Sequence, residues 1–134
     1  MPHLVRDWMS SPVVVVDGNA SVSHAMTLMR RRHIHSVVVY AGEMNYGIIT
    51  TTDVRDKIVG AGRNPAEVKV SEIMSWPLVT GRPEWTLMEC SQVMQKHHTH
   101  HLPIADEAGE LIGLISATDI FMSVEEQGWE EEEK

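Results

Sequence analysis

The chain has 134 residues, of which 43% are apolar and 22% charged, a balance ordinary for a soluble globular protein and unlike that of a disordered one. Its formal charge of −8 sets up a field that repels nucleic acid and anionic membrane surfaces, so neither is expected as a partner. The longest apolar runs, such as residues 13–16, fall far short of the roughly 20 residues a membrane helix needs.

No basic-then-apolar leader is read at the start, and a cytoplasmic location is expected. Cys90 is the only cysteine, so neither a disulfide framework nor a thiolate metal site can form within one chain. Its setting, "TLMECSQVM", reads as a helical core face, with no basic neighbour to activate the thiol.

In chain order, residues 13–16 predict a short strand. Ser21 then starts a helix in which Val22, Ala25, Met26 and Met29 recur at helical spacing and should face the core. "SVVVYA" and "YGIITT" predict two strands joined by "GEMN", a connection of hairpin length. Asp53 opens a second helix, for which Gly60 is expected as a left-handed cap.

"AGRNPAEVK" links to a second series of the same kind. Residues 78–80 predict a strand. Thr86 and Glu89 have the spacing of a capping box, in which hydroxyl and carboxylate each satisfy an unpaired backbone N–H. Leu87, Cys90, Val93 and Met94 form the next apolar face. "HLPIAD" and "ELIGLIS" predict a hairpin around "EAG", and Asp119 opens the last helix. The tail "VEEQGWEEEEK" carries six glutamates and reads as a solvated, frayed terminus, with an acidic docking segment as the lesser reading.

The second series repeats the first. A shift of 65 residues lays Val5, Met9, Ser10, Pro12 and Val14 over Val70, Met74, Ser75, Pro77 and Val79, and later Met29, His33 and His35 over Met94, His98 and His100. After one inserted residue, Gly47, Thr52 and Asp53 meet Gly113, Thr118 and Asp119. Internal repetition is the dominant signal. The expected architecture is α/β: β-α-β-β-α twice, packed sheet to sheet, with neither half having apolar surface enough to stand alone. The divisions are residues 1–62, residues 63–124, and an acidic tail at 125–134.

The most informative repeated stretch runs Gly47-Ile48-Ile49-Thr50-Thr51-Thr52-Asp53 and Gly113-Leu114-Ile115-Ser116-Ala117-Thr118-Asp119. As structure alone, Ser/Thr-x-x-Asp is a helix N-terminal box with its aspartate favoured by the helix dipole. That accounts for Thr50 with Asp53 and Ser116 with Asp119, but not for Thr52 and Thr118. A hydroxyl-lined helix start also offers donors to a phosphate, and a carboxylate beside it can accept two hydrogen bonds from a ribose diol.

The tandem repeat, the Met-Ser-x-Pro opening, the "HLPIAD" strand and the paired Gly-h-h-Ser/Thr-x-x-Asp turns resemble cystathionine-beta-synthase (CBS) domains in tandem, a Bateman module, over residues 3–124. The resemblance implies a pseudo-two-fold axis between the repeats, with two clefts between their sheets. It implies a stand-alone regulatory sensor of AMP, ADP or ATP, with S-adenosylmethionine or NAD as further candidates, acting as a homodimer on an unidentified regulated protein. It also implies residue roles. Asp53 and Asp119 would hold ribose, and Thr50, Thr52, Ser116 and Thr118 would lie near phosphate. Val13, Val37, Leu78 and Leu102 would line an adenine slot. His35, Ser36, His100 and His101 would face the phosphates. Two departures stand out. Val38 replaces the proline of the first such strand, at little cost because valine suits a strand. Trp85 sits where a small residue is usual, and with Trp76 either narrows a cleft, stacks on a base or packs in a core or dimer contact.

The runs "RRRHIHS" and "KHHTHHLP" invite a metal reading. No cysteine or acidic residue lies inside either run, and helix termination suits His33, His97 and His98 better. No nucleophile-base pair or Walker-type loop is present, so no catalytic role is expected. Three functions remain: ligand sensor, ligand-free dimerisation scaffold and histidine-based metal sensor. Imidazoles gain charge as pH falls through neutrality. Nucleotide affinity should therefore rise between about pH 8 and pH 6, and a flat calorimetric profile across that range would remove the imidazoles from phosphate binding.

Overall fold

The computed structural model describes residues 3–11, 13–43 and 45–128. Pro12, Met44 and the glutamates of the tail beyond Gly128, invoked above, lie outside the described residues. Two compact units are present: Val14–Leu78 forms one, and the segments before and after it form the other. The units therefore do not follow the sequence repeats, because the leading segment of each repeat packs in the unit built by the other.

In the central unit, β1 (Val15–Asp17) runs parallel to β2 (Ser36–Tyr40), which pairs antiparallel with β3 (Tyr46–Thr50). Helix α1 (Val22–Arg32) starts where the Ser21 hydroxyl accepts the His24 N–H at 3.0 Å. The predicted apolar face turns inward: Val22, Ala25 and Met29 are buried against Val37, Val39 and Ile49, with Met26 packed at the edge. Helix α2 (Thr51–Val54) follows β3 without a break and widens into a π turn at Arg55–Val59. The widening corrects the expected left-handed cap. Gly60 is right-handed, with its N–H donated to the Arg55 carbonyl at 2.8 Å, and the positive φ falls two residues later at Gly62.

The second unit begins with a short 3-10 turn at Val5–Asp7, followed after the central unit by α3 (Leu87–His97), β4 (His101–Ala105), β5 (Leu111–Ser116) and α4 (Ala117–Gln127). The expected capping box fixes α3, with Glu89 accepting from the Thr86 N–H at 2.9 Å and the Thr86 hydroxyl accepting from the Glu89 N–H at 3.1 Å. Val5, Leu87, Cys90, Met94, Leu102, Ile104 and Ile115 form the core, and Trp8, Met9 and Trp85 pack onto it. Trp85 therefore has a structural role, whereas Trp76 is exposed.

The strand predicted over residues 78–80 does not form. Only Gly81 bridges Ile104 there, with its N–H on the Pro103 carbonyl at 2.8 Å. The central unit shows why. Its β1–β2 ladder includes a bond from the Val38 N–H to the Val14 carbonyl at 3.0 Å, and the residue equivalent to Val38 is Pro103, which has no N–H to give. Valine in place of the motif proline thus gains a strand pair.

The motif glycines are required by close approach. A Cβ at Gly47 would lie 2.8 Å from the Ser75 carbonyl oxygen, and one at Gly113 would lie 2.8 Å from that of Ser10. Both contacts belong to paired backbone: Ser75 and Ile48 exchange bonds of 2.9 and 3.0 Å, and Ser10 and Leu114 exchange bonds of 2.8 and 2.9 Å. The Met-Ser segments are thus clamped over the strands that carry the motif. Replacing either glycine by alanine should lower stability by about 1–3 kcal/mol, measured by urea unfolding. Burial pushes the Cys90 thiol up to about 11. A disulfide reagent at pH near 8 should therefore leave the native thiol unmodified and titrate it fully after denaturation.

Candidate functional site

In both units the chain passes from the last strand directly into a helix, and a capping box makes the turn. In the central unit the Asp53 Oδ2 atom accepts the Thr50 N–H at 2.9 Å and the Thr50 hydroxyl at 3.1 Å, while the Thr50 Oγ1 accepts the Asp53 N–H at 3.2 Å. In the other unit the Asp119 Oδ2 accepts the Ser116 N–H at 2.8 Å and the Ser116 hydroxyl at 3.0 Å, while the Ser116 Oγ accepts the Asp119 N–H at 3.1 Å. The structural reading of the repeated turn is thus realised twice.

Strand register brings further predicted residues to the same place. Ser36 is the cross-strand partner of Thr50, and His101 that of Ser116. The carbonyls of His35 and His100 accept the first helical N–H groups, from Thr51 at 3.0 Å and Ala117 at 2.8 Å. Thr52, Thr118, His35 and His100 are exposed, and Thr50, Ser116, Asp53, Asp119 and His101 are half-buried. Ser36 is buried, and Val37 and Leu102 are 1% and 0% exposed within their cores, where packing occupies their side chains. Val13 and Leu78 are half-buried and lie outside the strands.

A cavity lies beside this turn in each unit. That of the central unit is about 720 Å³ and is lined by Met26, Arg30, His33, His35, Thr51 and Val54 among others. The other is about 460 Å³, with Met94, His98, Thr99, His100, Ala117 and Ile120 in its wall. Neither aspartate lines them.

The histidine runs are divided by the fold. His97 ends α3, His33 and His98 are left-handed C-caps with φ of 56° and 54°, and His101 starts β4. Among the described residues no three of His, Cys, Asp and Glu are gathered where they could hold a metal ion.

One residue of the site was missed in the sequence reading. The Lys57 ammonium lies 3.3 Å from the Asp53 Oδ1 and donates to the Ile73 carbonyl at 2.8 Å. Its signal was the four-residue spacing from Asp53, one helical turn.

Comparison with known proteins identifies the family. The family model described as CBS domain matches residues 5–60 and again residues 70–126. The chain belongs to the CBS domain family, as a tandem pair. It is 31% identical over 116 residues to the CBS domain-containing protein YhcV of Bacillus subtilis, covering 87% of this chain and 81% of that protein. It is 35% identical over 118 residues to inosine-5'-monophosphate dehydrogenase of Korarchaeum cryptofilum, covering 88% of this chain but spanning only 22% of that enzyme. Among solved structures, the CBS domain pair of protein MJ0100 in complex with 5'-methylthioadenosine and S-adenosyl-L-methionine superposes with a TM-score of 0.82 at 20% identity, covering 95% of this chain and 99% of that one. That likeness carries the mixed α and β fold.

Proposed function

We propose that this CBS pair is a regulatory module, without catalysis of its own, that binds an adenosine-containing molecule and passes its bound state to a partner protein. AMP, ADP and ATP are the first candidates, and S-adenosylmethionine and NAD are further ones. The observation that carries the reading is the carboxylate of Asp119. Its Oδ2 is filled by the cap of its own helix, while no described residue bonds its Oδ1. A half-buried acceptor fixed in place by its other oxygen suits a sugar diol, because little side-chain freedom remains to be lost on binding. Both ligands in the MJ0100 complex carry such a diol. Thr52 and Thr118, next to the two aspartates in the chain, and the exposed His35 and His100, whose carbonyls accept the first helical N–H groups, offer donors for an anionic group.

We also read the chain as a homodimer. Phe121 is 65% exposed on α4, with Met122 beside it and Met88 exposed on α3, apolar surface suited to covering by a second copy.

A ligand-free scaffold is the second reading, favoured by the completeness of both capping boxes. The two readings part at Asp119→Asn. The amide oxygen can still accept the Ser116 N–H, but the open position becomes an NH₂ donor, wrong for a diol. A thermal-shift screen of AMP, ADP, ATP, S-adenosylmethionine and NAD should find at least one that stabilises the wild-type chain by about 2.7 kcal/mol at 100 times its Kd. Asp119→Asn should lose that response at little cost to the unliganded melting temperature. Absence of any response in the wild type would leave the scaffold.

A further inference from the structure

The two aspartates hold equivalent places in the repeat and identical roles as caps, yet their second oxygens differ. A carboxylate offers about four lone-pair positions, two on each oxygen. In both units Oδ2 takes two bonds, from the backbone N–H and the hydroxyl of the cap residue. In the central unit the Lys57 ammonium stands 3.3 Å from Oδ1 of Asp53 as an ion pair, so that oxygen already has a cation at its side. Lys57 does not reach there freely: its Nζ is tethered to the Ile73 carbonyl at 2.8 Å, and the Asp53 side chain beneath it is 14% exposed.

The residue equivalent to Lys57 in the other repeat, four beyond Asp119, is Ser123. Its side chain is fully buried, and its hydroxyl has no hydrogen-bond partner among the described residues. Among the described residues no ammonium stands over Asp119 and none bonds its Oδ1. A vicinal diol presents two hydroxyl donors. Asp119 can accept both on an uncovered oxygen, whereas at Asp53 a hydroxyl reaching Oδ1 must displace or share it with the ammonium 3.3 Å away.

From this asymmetry we infer that the chain has one high-affinity nucleoside site, at Asp119, and that Lys57 holds the equivalent position at Asp53 closed to a vicinal diol. The inference rests on the adenosine reading above and narrows it to a stoichiometry and a determinant. The exposed ion pair is weak by itself, since Lys57 is 45% exposed. Its hydrogen bond to the Ile73 carbonyl must yield as well when the ammonium is displaced, and together the two contacts disfavour the Asp53 position by about tenfold.

Isothermal titration with AMP and with S-adenosylmethionine tests this on the full chain. The wild type should bind at one site per chain, and Asp119→Asn should abolish it. Lys57→Met keeps the aliphatic stem and removes the ammonium. It should add a second site, about tenfold tighter than any weak site in the wild type. Lys57→Ser, which copies the residue of the other repeat, should do the same, so a folding defect in one variant does not decide the result. The added site should vanish when Asp53→Asn is combined with Lys57→Met. Two equal sites in the wild type, or one unchanged site in both Lys57 variants, would overturn the inference and leave the adenosine reading standing. No binding of either probe by any form would bring down both.

Discussion

A single carboxylate oxygen holds each strand-to-helix turn of this protein. It accepts a backbone N–H and a hydroxyl from the residue three positions earlier, and that residue's hydroxyl accepts the aspartate's own N–H in return. A cap of this kind is worth about 1 kcal/mol, modest against the cores that surround it. Its larger consequence is positional. With Oδ2 committed, the aspartate cannot rotate, so the direction of Oδ1 is set by the fold. Strand register then sets what stands nearby, since Thr50 faces Ser36 and Ser116 faces His101 across their ladders. One local bond pattern therefore stabilises the turn and presents an acceptor.

The turn needs the strand before it to be fixed as well, and the Met-Ser segments do this. Ser75 pairs with β3 and Ser10 with β5, each beside a glycine that leaves no room for a side chain. Because each segment opens one sequence repeat and closes over the strand of the other, neither repeat alone contains a complete unit. The interdependence expected from small size thus has a concrete form, an exchange of backbone hydrogen bonds across 27 residues in one unit and 104 in the other. The second separation is too long for local preference to dictate. Pairing there is selected by the apolar seat that Val5, Trp8 and Met9 find in the core of the second unit.

What could be read from the sequence was what short range determines. The starts of α1 and α3 followed from Ser21 and from Thr86 with Glu89, and their inward faces from spacing at 3 and 4 residues. The hairpins followed from the length of their connections. Three features were hidden because each depends on partners outside its own segment. Residues 78–80 have strand-like composition, but Pro103 removes the donor that would zip them to β4. The widening of α2 at Arg55–Val59 shifts its end past Gly60, and composition alone carries no mark of that. The third is the burial of Val37 and Leu102, which the resemblance assigns to an adenine slot and whose side chains lie in the cores, because a strand facing an amphipathic helix gives its apolar side chains to that helix. At the site itself the aspartates, hydroxyls and histidines were visible as repeats. Lys57 was not, because it is a difference between the repeats.

That difference shows how a duplicated module can acquire unequal halves without disturbing its fold. The positions that make the cap are held in both repeats, since losing them would expose helix-end N–H groups. The position one turn further on is free of that duty. In one repeat it carries a long cation that returns to the cap's spare oxygen and to the Ile73 carbonyl, and in the other a small buried hydroxyl. The cation adds little to stability, since exposed pairs spaced at four residues contribute a few tenths of a kcal/mol. What it changes is the surroundings of the acceptor, since the ammonium stands 3.3 Å from the oxygen that the cap leaves unbonded. Where recognition depends on an acceptor left uncovered, a contact of negligible energetic weight in the free protein can decide which of two nearly identical turns is able to hold a diol.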